Sequence, residues 1–301
     1  MCSLQSNDMK KVFLWFRIIR PETLFASLCP VLVGILLAHS FFGRTDSCMN
    51  LAAVLTATCA IVLQILSNLI NDYYDYRRGT DKAGRVGFKR ALAEGTVGER
   101  EIIAACYVVF FCATMLGAAL CYIGGWVIIA IGLSALLFAW LYSATRYSLS
   151  YLGIADIFVF LYYGVVAVWG TVWLQYRAAG LAGGFAHSTA VYAGGVCGLI
   201  SMCALAINNI RDMDSDRLAG KRTVPVRVGK KAALCLMGCL VALVPVFSWL
   251  AFGLDWTLAV SLPTAVLYYC VLRAEGAQYN RCVLLTGIVS LIYVGLVWLS
   301  I

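Results

Sequence analysis

The chain has 301 residues, of which 62% are hydrophobic and 13% are charged, and its mean hydropathy is +0.86. Soluble globular domains are far less apolar, so the composition excludes that class and predicts an integral membrane protein. The formal net charge is +8. A chain of this length has room for about nine spans of ~20 residues with short loops, and for no sizeable soluble domain.

Nine apolar windows follow one another along the chain, each suited to a membrane-spanning helix. We therefore predict an all-α polytopic membrane protein, with nine transmembrane helices in a single domain over residues 1–301. The first window starts too far from the N-terminus for a cleaved signal peptide, which indicates a mature span. The windows cover residues 22–42, 51–70, 102–122, 126–142, 154–174, 189–207, 232–252, 256–272 and 282–299.

Basic residues are distributed unevenly between the loops. All but two of the 23 lysines and arginines precede the first window or lie in the loops after even-numbered windows, and only Arg44 and Arg177 fall on the other side. Because basic loops remain in the cytoplasm, this asymmetry predicts a cytoplasmic N-terminus and an external C-terminus. The expected location is a bacterial cytoplasmic membrane, with membrane lipid as a partner and no nucleic acid.

Two acidic stretches stand at the predicted cytoplasmic ends of spans. NLINDYYDYRRGTDKAGR ends the second window, and NNIRDMDSDRLAGKR ends the sixth. Both contain Asn-x-x-x-Asp followed by Arg, Gly and Lys, which indicates a duplicated functional unit. At 100° per residue, Asn68, Asp72 and Asp75 fall within an arc of ~60°. In the second stretch Asn208, Asp212 and Asp216 fall within ~80°, whereas Asp214 points away from them.

Six carboxylates near the membrane surface would repel one another, so positive charge should hold them together. The neighbouring arginines, a proton or sodium pathway, and divalent cations that bridge to an anionic substrate could each supply it. A transport pathway would place acids at mid-membrane, whereas these lie at the interface. Asp and Asn oxygens suit Mg²⁺, and the basic residues beyond each cluster suit phosphate, so the pattern favours a diphosphate site.

The stretches NDYYDYRRGTD and NNIRDMDSDRLAGKRTVPVRVG resemble the paired aspartate motifs of the UbiA superfamily of intramembrane prenyltransferases. The resemblance extends from IRPETLFASLCPVLVG through YSATRYSLSYLGIADI. It implies a nine-helix bundle around a central cavity, in which a polyprenyl group leaves polyprenyl diphosphate for an aromatic acceptor.

The first motif also resembles one branch of that superfamily, because five residues separate Asp75 from Asp81. This branch prenylates 1,4-dihydroxy-2-naphthoate with loss of CO₂ and gives demethylmenaquinone, an intermediate of menaquinone biosynthesis. Two alternatives are a UbiA-superfamily enzyme with a different aromatic acceptor and, more remotely, a polytopic transporter.

The resemblance implies roles for residues around the diphosphate. Asn68 and Asn208 would ligate metal or orient the carboxylates. Arg20, Arg90 and Lys221 match basic positions of the family and would neutralise the leaving diphosphate. The two Mg²⁺ ions would be held by Asp72, Asp75, Asp212 and Asp216 on the cytoplasmic side.

For the acceptor, Tyr142 and Arg146 match a Tyr-x-x-x-Lys pattern of the family. Tyr142 would steady the prenyl cation, and Arg146 would bind the acceptor's carboxylate. Asp156 would either contact an acceptor hydroxyl or cap its helix, and both roles are open. Asp81 lies past the helix and Asp214 lies off the shared face, so neither is assigned a role.

Overall fold

The computed structural model describes residues 13–79, 86–88, 90–143, 153–182 and 188–301, apart from the side chains of residues 139, 140, 142 and 143. Within these ranges the regular structure is entirely helical, and a short helix over residues 13–19 comes first. The further helices are α1 Pro21–Phe42, α2 Ser47–Arg77, α3 Glu99–Gly124, α4 Trp126–Ser143, α5 Ala155–Ala178, α6 Ser188–Arg211, α7 Met213–Leu218, α8 Val224–Val228, α9 Lys230–Phe252, α10 Trp256–Arg273 and α11 Gln278–Ser300.

Eight helices in the described part of the chain are long and apolar enough to cross a bilayer: α1, α2, α3, α5, α6, α9, α10 and α11. Helix α4 contributes a shorter apolar stretch, Trp126–Phe138, inside the predicted fourth window. The prediction of an all-helical membrane protein is thus confirmed. The count of nine spans, the central cavity and the single-domain organisation stay predictions.

Helix α6 is the central helix of the bundle, since 67% of its apolar window is buried, compared with 11% for the peripheral α3. Its backbone lies directly against α5. A Cβ on Gly198 would come within 2.5 Å of the Phe160 carbonyl oxygen, and one on Gly164 within 2.4 Å of the Gly194 oxygen. Small residues allow this close approach, which in a bilayer supplies much of the helix–helix attraction. Helix α5 widens into a π-turn at Leu161–Val165, within the same contact.

The main core consists largely of aliphatic side chains from α1, α5, α6, α9, α10 and α11. Fully buried members, one from each of these six helices, are Val33, Val168, Val196, Val244, Val260 and Val297. A second, smaller core lies at the end of the bundle that carries the aspartates, and it joins the 13–19 helix, α2, the loop before α3 and α3 itself. Its buried members are Ile18, Leu69, Leu92, Val97 and Ile102. The second core therefore fixes the chain on both sides of the first acidic stretch.

Candidate functional site

The first acidic stretch lies in the last turns of α2, where Asp72 is buried and Asp75 is half-buried. The Asp72 carboxylate pairs with the Arg20 guanidinium, and Nη1 of Arg90 lies 3.4 Å from its Oδ1. A buried carboxylate is strongly destabilising without cationic partners. Two arginines from different parts of the chain therefore define the surroundings of Asp72.

The two arginines are held in place by the second core. Ile18 lies two residues before Arg20, and Leu92 lies two residues after Arg90, and both pack in that core with Leu69 of α2. Around Arg90 the chain turns tightly, with hydrogen bonds from the Glu94 N–H to the Arg90 carbonyl at 2.9 Å. The packing of Ile18 and Leu92 in the second core therefore holds Arg20 and Arg90 at the end of α2.

Arg20 has a strained backbone. Its φ of 57° and ψ of 68° are left-handed, and it is the one non-glycine residue with positive φ in the described ranges. For such a residue this conformation costs about 1–3 kcal/mol. Arg20 stands between the 13–19 helix and Pro21, and its carbonyl accepts a hydrogen bond from the Thr23 hydroxyl at 2.9 Å. The strained conformation at Arg20 lets the chain turn into α1 at Pro21 while the Arg20 guanidinium stays paired with the Asp72 carboxylate.

Asn68 joins α2 to this turn. Its Nδ2 donates to the Ile19 carbonyl at 3.0 Å and to the Thr23 hydroxyl at 2.9 Å, while its Oδ1 accepts from Gln64 at 3.2 Å. Both ends of the amide are thus used within the protein, which favours the orienting role over metal ligation. Gln64 and Thr23 were not predicted from the sequence. A glutamine one turn before Asn68, inside an apolar window, is the signal that could have found the first of them.

The second acidic stretch spans the junction of α6 and α7. Arg211 holds both oxygens of the neighbouring Asp212, with Nε 2.8 Å from Oδ1 and Nη2 2.7 Å from Oδ2. Asp216 is buried in α7, whereas the Asp214 side chain is 89% exposed, as its position off the shared face predicts. Asn208 donates to the Ala204 carbonyl of its own helix at 3.1 Å.

Lys221 connects the two acidic stretches. Its Nζ lies 3.5 Å from Oδ1 of Asp75 on α2 and 3.7 Å from Oδ1 of Asp216 on α7. The lysine side chain is largely buried, with 14% of its surface exposed. The structure therefore brings the two stretches together through a cation, at the end of the bundle where α2 and α6 finish.

The carboxylates are suited to a metal that arrives with its substrate. Among the described residues no group of three or more Asp, Glu, His or Cys side chains is placed to hold a metal ion alone. Mg²⁺, however, is usually bound through one or two carboxylates, with water and substrate phosphates as its remaining ligands. The donor set of Asp72, Asp75, Asp212 and Asp216 fits an ion of that kind.

Most of the residues predicted to bind the acceptor lie outside the part of the chain that the structure describes. Arg146, Asp81 and the Tyr142 side chain fall outside the described residues. Asp156 is in the first turn of α5, where a carboxylate interacts favourably with the helix dipole. Just before it, Gly153 has a φ of 69°, and a Cβ there would come within 2.2 Å of the Arg222 carbonyl oxygen. The start of α5 therefore lies against the end of the second acidic stretch.

An all-helical membrane bundle with two cation-linked aspartate motifs at one end is an arrangement suited to an intramembrane enzyme that acts on anionic substrates. Residues 27–296 match the UbiA prenyltransferase family, and the chain belongs to that family. It is therefore a membrane prenyltransferase, as the sequence motifs predicted.

Several relatives carry a more specific name. The chain is 34% identical over 256 residues to the 1,4-dihydroxy-2-naphthoate octaprenyltransferase of Escherichia coli, covering 80% of this chain and 78% of the relative. It is 27% identical over 302 residues to the protein of the same name from Haemophilus influenzae, covering 93% and 94%.

Solved structures share the fold. A UbiA homolog from Archaeoglobus fulgidus, bound to DMAPP and Mg²⁺, aligns with a TM-score of 0.64 at 19% identity, over 95% of this chain and 98% of that one. The apo UbiA homolog from Aeropyrum pernix aligns with a TM-score of 0.65 at 18% identity, over 91% and 97%.

Proposed function

We propose that this protein transfers a polyprenyl group from polyprenyl diphosphate to 1,4-dihydroxy-2-naphthoate, with Mg²⁺ and with loss of CO₂, in menaquinone biosynthesis. The relatives from Escherichia coli and Haemophilus influenzae, named for that acceptor, support the choice of reaction. The observation that carries the proposal is the position of Lys221 between Asp75 and Asp216. It supplies a cation shared by both acidic motifs, as a diphosphate site requires.

The diphosphate would bind to Arg20, Arg90 and Lys221. Each of these cations contacts an aspartate of the site, so their charges are already gathered at one end of the bundle. When a diphosphate and its divalent cations bind together, the two arginines and the lysine would exchange their aspartate partners for phosphate oxygens. The aspartates would then bind the metal ions. Every buried charge keeps an opposite partner, which avoids the large penalty of isolating one.

Asp72, Asp75, Asp212 and Asp216 would hold the metal, and Asn68 would keep Asp72 and Arg20 in register through its bonds to Ile19 and Thr23. Bound Mg²⁺ would supply positive charge that stabilises the departing diphosphate. Asn208 would orient the second motif from within α6.

In the reaction the allylic C–O bond breaks, and its electron pair leaves with the diphosphate. The ring carbon that bears the acceptor's carboxylate then forms a bond to the prenyl carbon. Loss of CO₂ from that carbon returns an electron pair to the ring, so the step needs no external acid or base. It yields the reduced 1,4-diol, from which demethylmenaquinone would form by a separate two-electron oxidation outside this site. The residues around the prenyl group must exclude water from the allylic cation, and the ring of Tyr142 would stabilise this cation.

The acceptor would lie beside the start of α5. Arg146 would bind its carboxylate, and Asp156 would contact a hydroxyl or support the first turn of α5. Contact between Gly153 and the Arg222 carbonyl places this segment next to the loop that carries Lys221, so both substrates would meet at one end of the bundle. The asymmetry of basic loops supports a cytoplasmic position for that end, in a bacterial cytoplasmic membrane.

An acceptor comparison tests the proposal. Purified protein in lipid would be incubated with a polyprenyl diphosphate and dihydroxynaphthoate, 4-hydroxybenzoate or homogentisate in parallel, with and without Mg²⁺. We expect a prenylated product and CO₂ from dihydroxynaphthoate alone, and only with the metal. Product from another acceptor instead would assign the protein to a different branch of the family, and no product from any of them would overturn the proposal.

A further inference from the structure

Arg211 and Asn280 connect three separate parts of the chain. Nη1 of Arg211 donates to Oδ1 of Asn280, at the start of α11, with a distance of 2.7 Å. Nδ2 of Asn280 donates in turn to the Val86 carbonyl, at 3.2 Å. The Arg211 guanidinium also lies 5.8 Å from the centre of the Phe88 ring. We call this set of contacts the Arg211–Asn280 bridge.

The bridge fixes the orientation of Asp212. The Arg211 side chain is only 3% exposed, and its Nε and Nη2 contact the two oxygens of Asp212 while Nη1 contacts Asn280. A guanidinium is planar and rigid, so contacts on three of its nitrogens leave it little freedom to rotate. The carboxylate of Asp212 is therefore oriented by a residue of α11.

The same bridge holds the segment before Arg90. Residues 86–88 belong to the loop between α2 and α3, and Phe88 packs on the main core while Leu92 packs in the second core. Arg90 lies between these two contacts, with its Nη1 3.4 Å from Asp72. Asn280 thus holds the loop before Arg90, through the Val86 carbonyl, and Leu92 holds it after Arg90.

We propose that Arg211 and Asn280 are positioning residues of the prenyl diphosphate site, which set Arg90, in the loop after the first motif, and Asp212 of the second motif at a fixed separation. The inference rests on the proposed function, because it assigns Arg90 to the diphosphate. Neither Arg211 nor Asn280 needs to touch substrate. Their effect passes through the loop of Arg90 and through the Asp212 carboxylate.

Asn280→Ala tests this inference, because it removes the contacts to Arg211 and to Val86 together. We expect the KM for prenyl diphosphate to rise about 10- to 100-fold, with a smaller change in kcat and none in the KM for the acceptor, since a small displacement of a binding group has effects of this size. Asn280→Asp should rescue only part, because it keeps an oxygen for Arg211 but cannot donate to the Val86 carbonyl.

Two comparisons separate positioning from general stability. In an Arg90→Ala background, Asn280→Ala should raise the prenyl diphosphate KM by less than it does in the parent protein, because only the part of its effect that passes through Asp212 is left. Gln278→Ala is the matched control at the same helix start, where the Gln278 side chain accepts from the Glu275 N–H at 3.0 Å. It should leave the KM for prenyl diphosphate unchanged.

Amide hydrogen exchange supplies a readout that is independent of turnover. A peptide spanning residues 86–92 should exchange faster in Asn280→Ala than in the parent protein. Unchanged exchange, or an effect on KM that adds fully to that of Arg90→Ala, would overturn the inference. A parent protein without prenyl transfer to any acceptor would instead overturn the proposed function, and the exchange experiment would still decide whether the bridge holds the loop.

Discussion

The Lys221 ammonium lies 3.5 Å from the Asp75 carboxylate, so the loop after the second acidic motif is tied to the end of the first. A single lysine is therefore expected to matter for both motifs. Lys221→Met should lower kcat/KM for prenyl diphosphate by about 10- to 150-fold, because a charge-assisted contact contributes roughly 1.5 to 3 kcal/mol. Steady-state kinetics with varied prenyl diphosphate measure the change.

Arg217 provides the control for Lys221. It lies in the same segment, but it is exposed and pairs with the exposed Asp214 at 4.0 Å. An exposed pair of this kind contributes little. Arg217→Met should leave the kinetics unchanged, and an effect as large as that of Lys221→Met would show that general charge near the membrane, rather than the Lys221 position, supports the reaction.

The aspartates should differ according to their position. Asp72→Asn and Asp212→Asn are each expected to lower turnover by ~10²-fold or more, because each removes charge from the proposed metal site. Asp214→Asn should be much milder, since its side chain is 89% exposed. The measurement is product formation at saturating Mg²⁺, with membrane insertion and thermal stability followed in parallel. Near-normal turnover in either of the first two variants would be incompatible with a site built from both motifs.

The sequence predicted the spans better than their ends. Helix α2 continues to Arg77, past the predicted end at residue 70, and α6 continues to Arg211, past residue 207. Hydropathy reports the preference of side chains for an apolar surrounding, and these last turns are rich in polar residues although they continue the helix. Asp72 and Asp216, which periodicity placed on the shared helix faces, are both buried.

The ion-pair partners of the aspartates could not be predicted from the sequence. Arg20 and Arg90 were predicted from family motifs, but nothing local indicated that both would lie on Asp72. Arg211 was counted only as one of the basic residues that orient the protein, yet it is the residue that holds Asp212. Such pairings depend on which distant segments meet, and helix periodicity carries no information about that.

Arg146 should act on the acceptor rather than on the donor. Arg146→Ala is expected to raise the KM for dihydroxynaphthoate by ~10 to 150-fold, because a bidentate contact to its carboxylate would be lost, while the KM for prenyl diphosphate should stay nearly unchanged. Arg146→Lys should recover only part, since an ammonium lacks the planar fork. If affinity for prenyl diphosphate fell instead, Arg146 would belong to the diphosphate site, and the acceptor would have to lie nearer Asp156.

The glycine contact between α5 and α6 should limit stability rather than chemistry. Gly198→Ala places a methyl group within 2.5 Å of the Phe160 carbonyl oxygen, where backbone must move to admit it. Overpacking of this kind typically costs about 1–3 kcal/mol, so the melting temperature in detergent should fall. Gly117→Ala on the peripheral α3 is the matched control, because nothing lies within 4 Å of the added carbon. There the intrinsic preference of alanine for helix should leave the melting temperature unchanged or raise it. Equal changes in melting temperature at the two positions would mean that the close α5–α6 backbone contact is not the cause of the loss, and that the stability of the bundle does not depend on it.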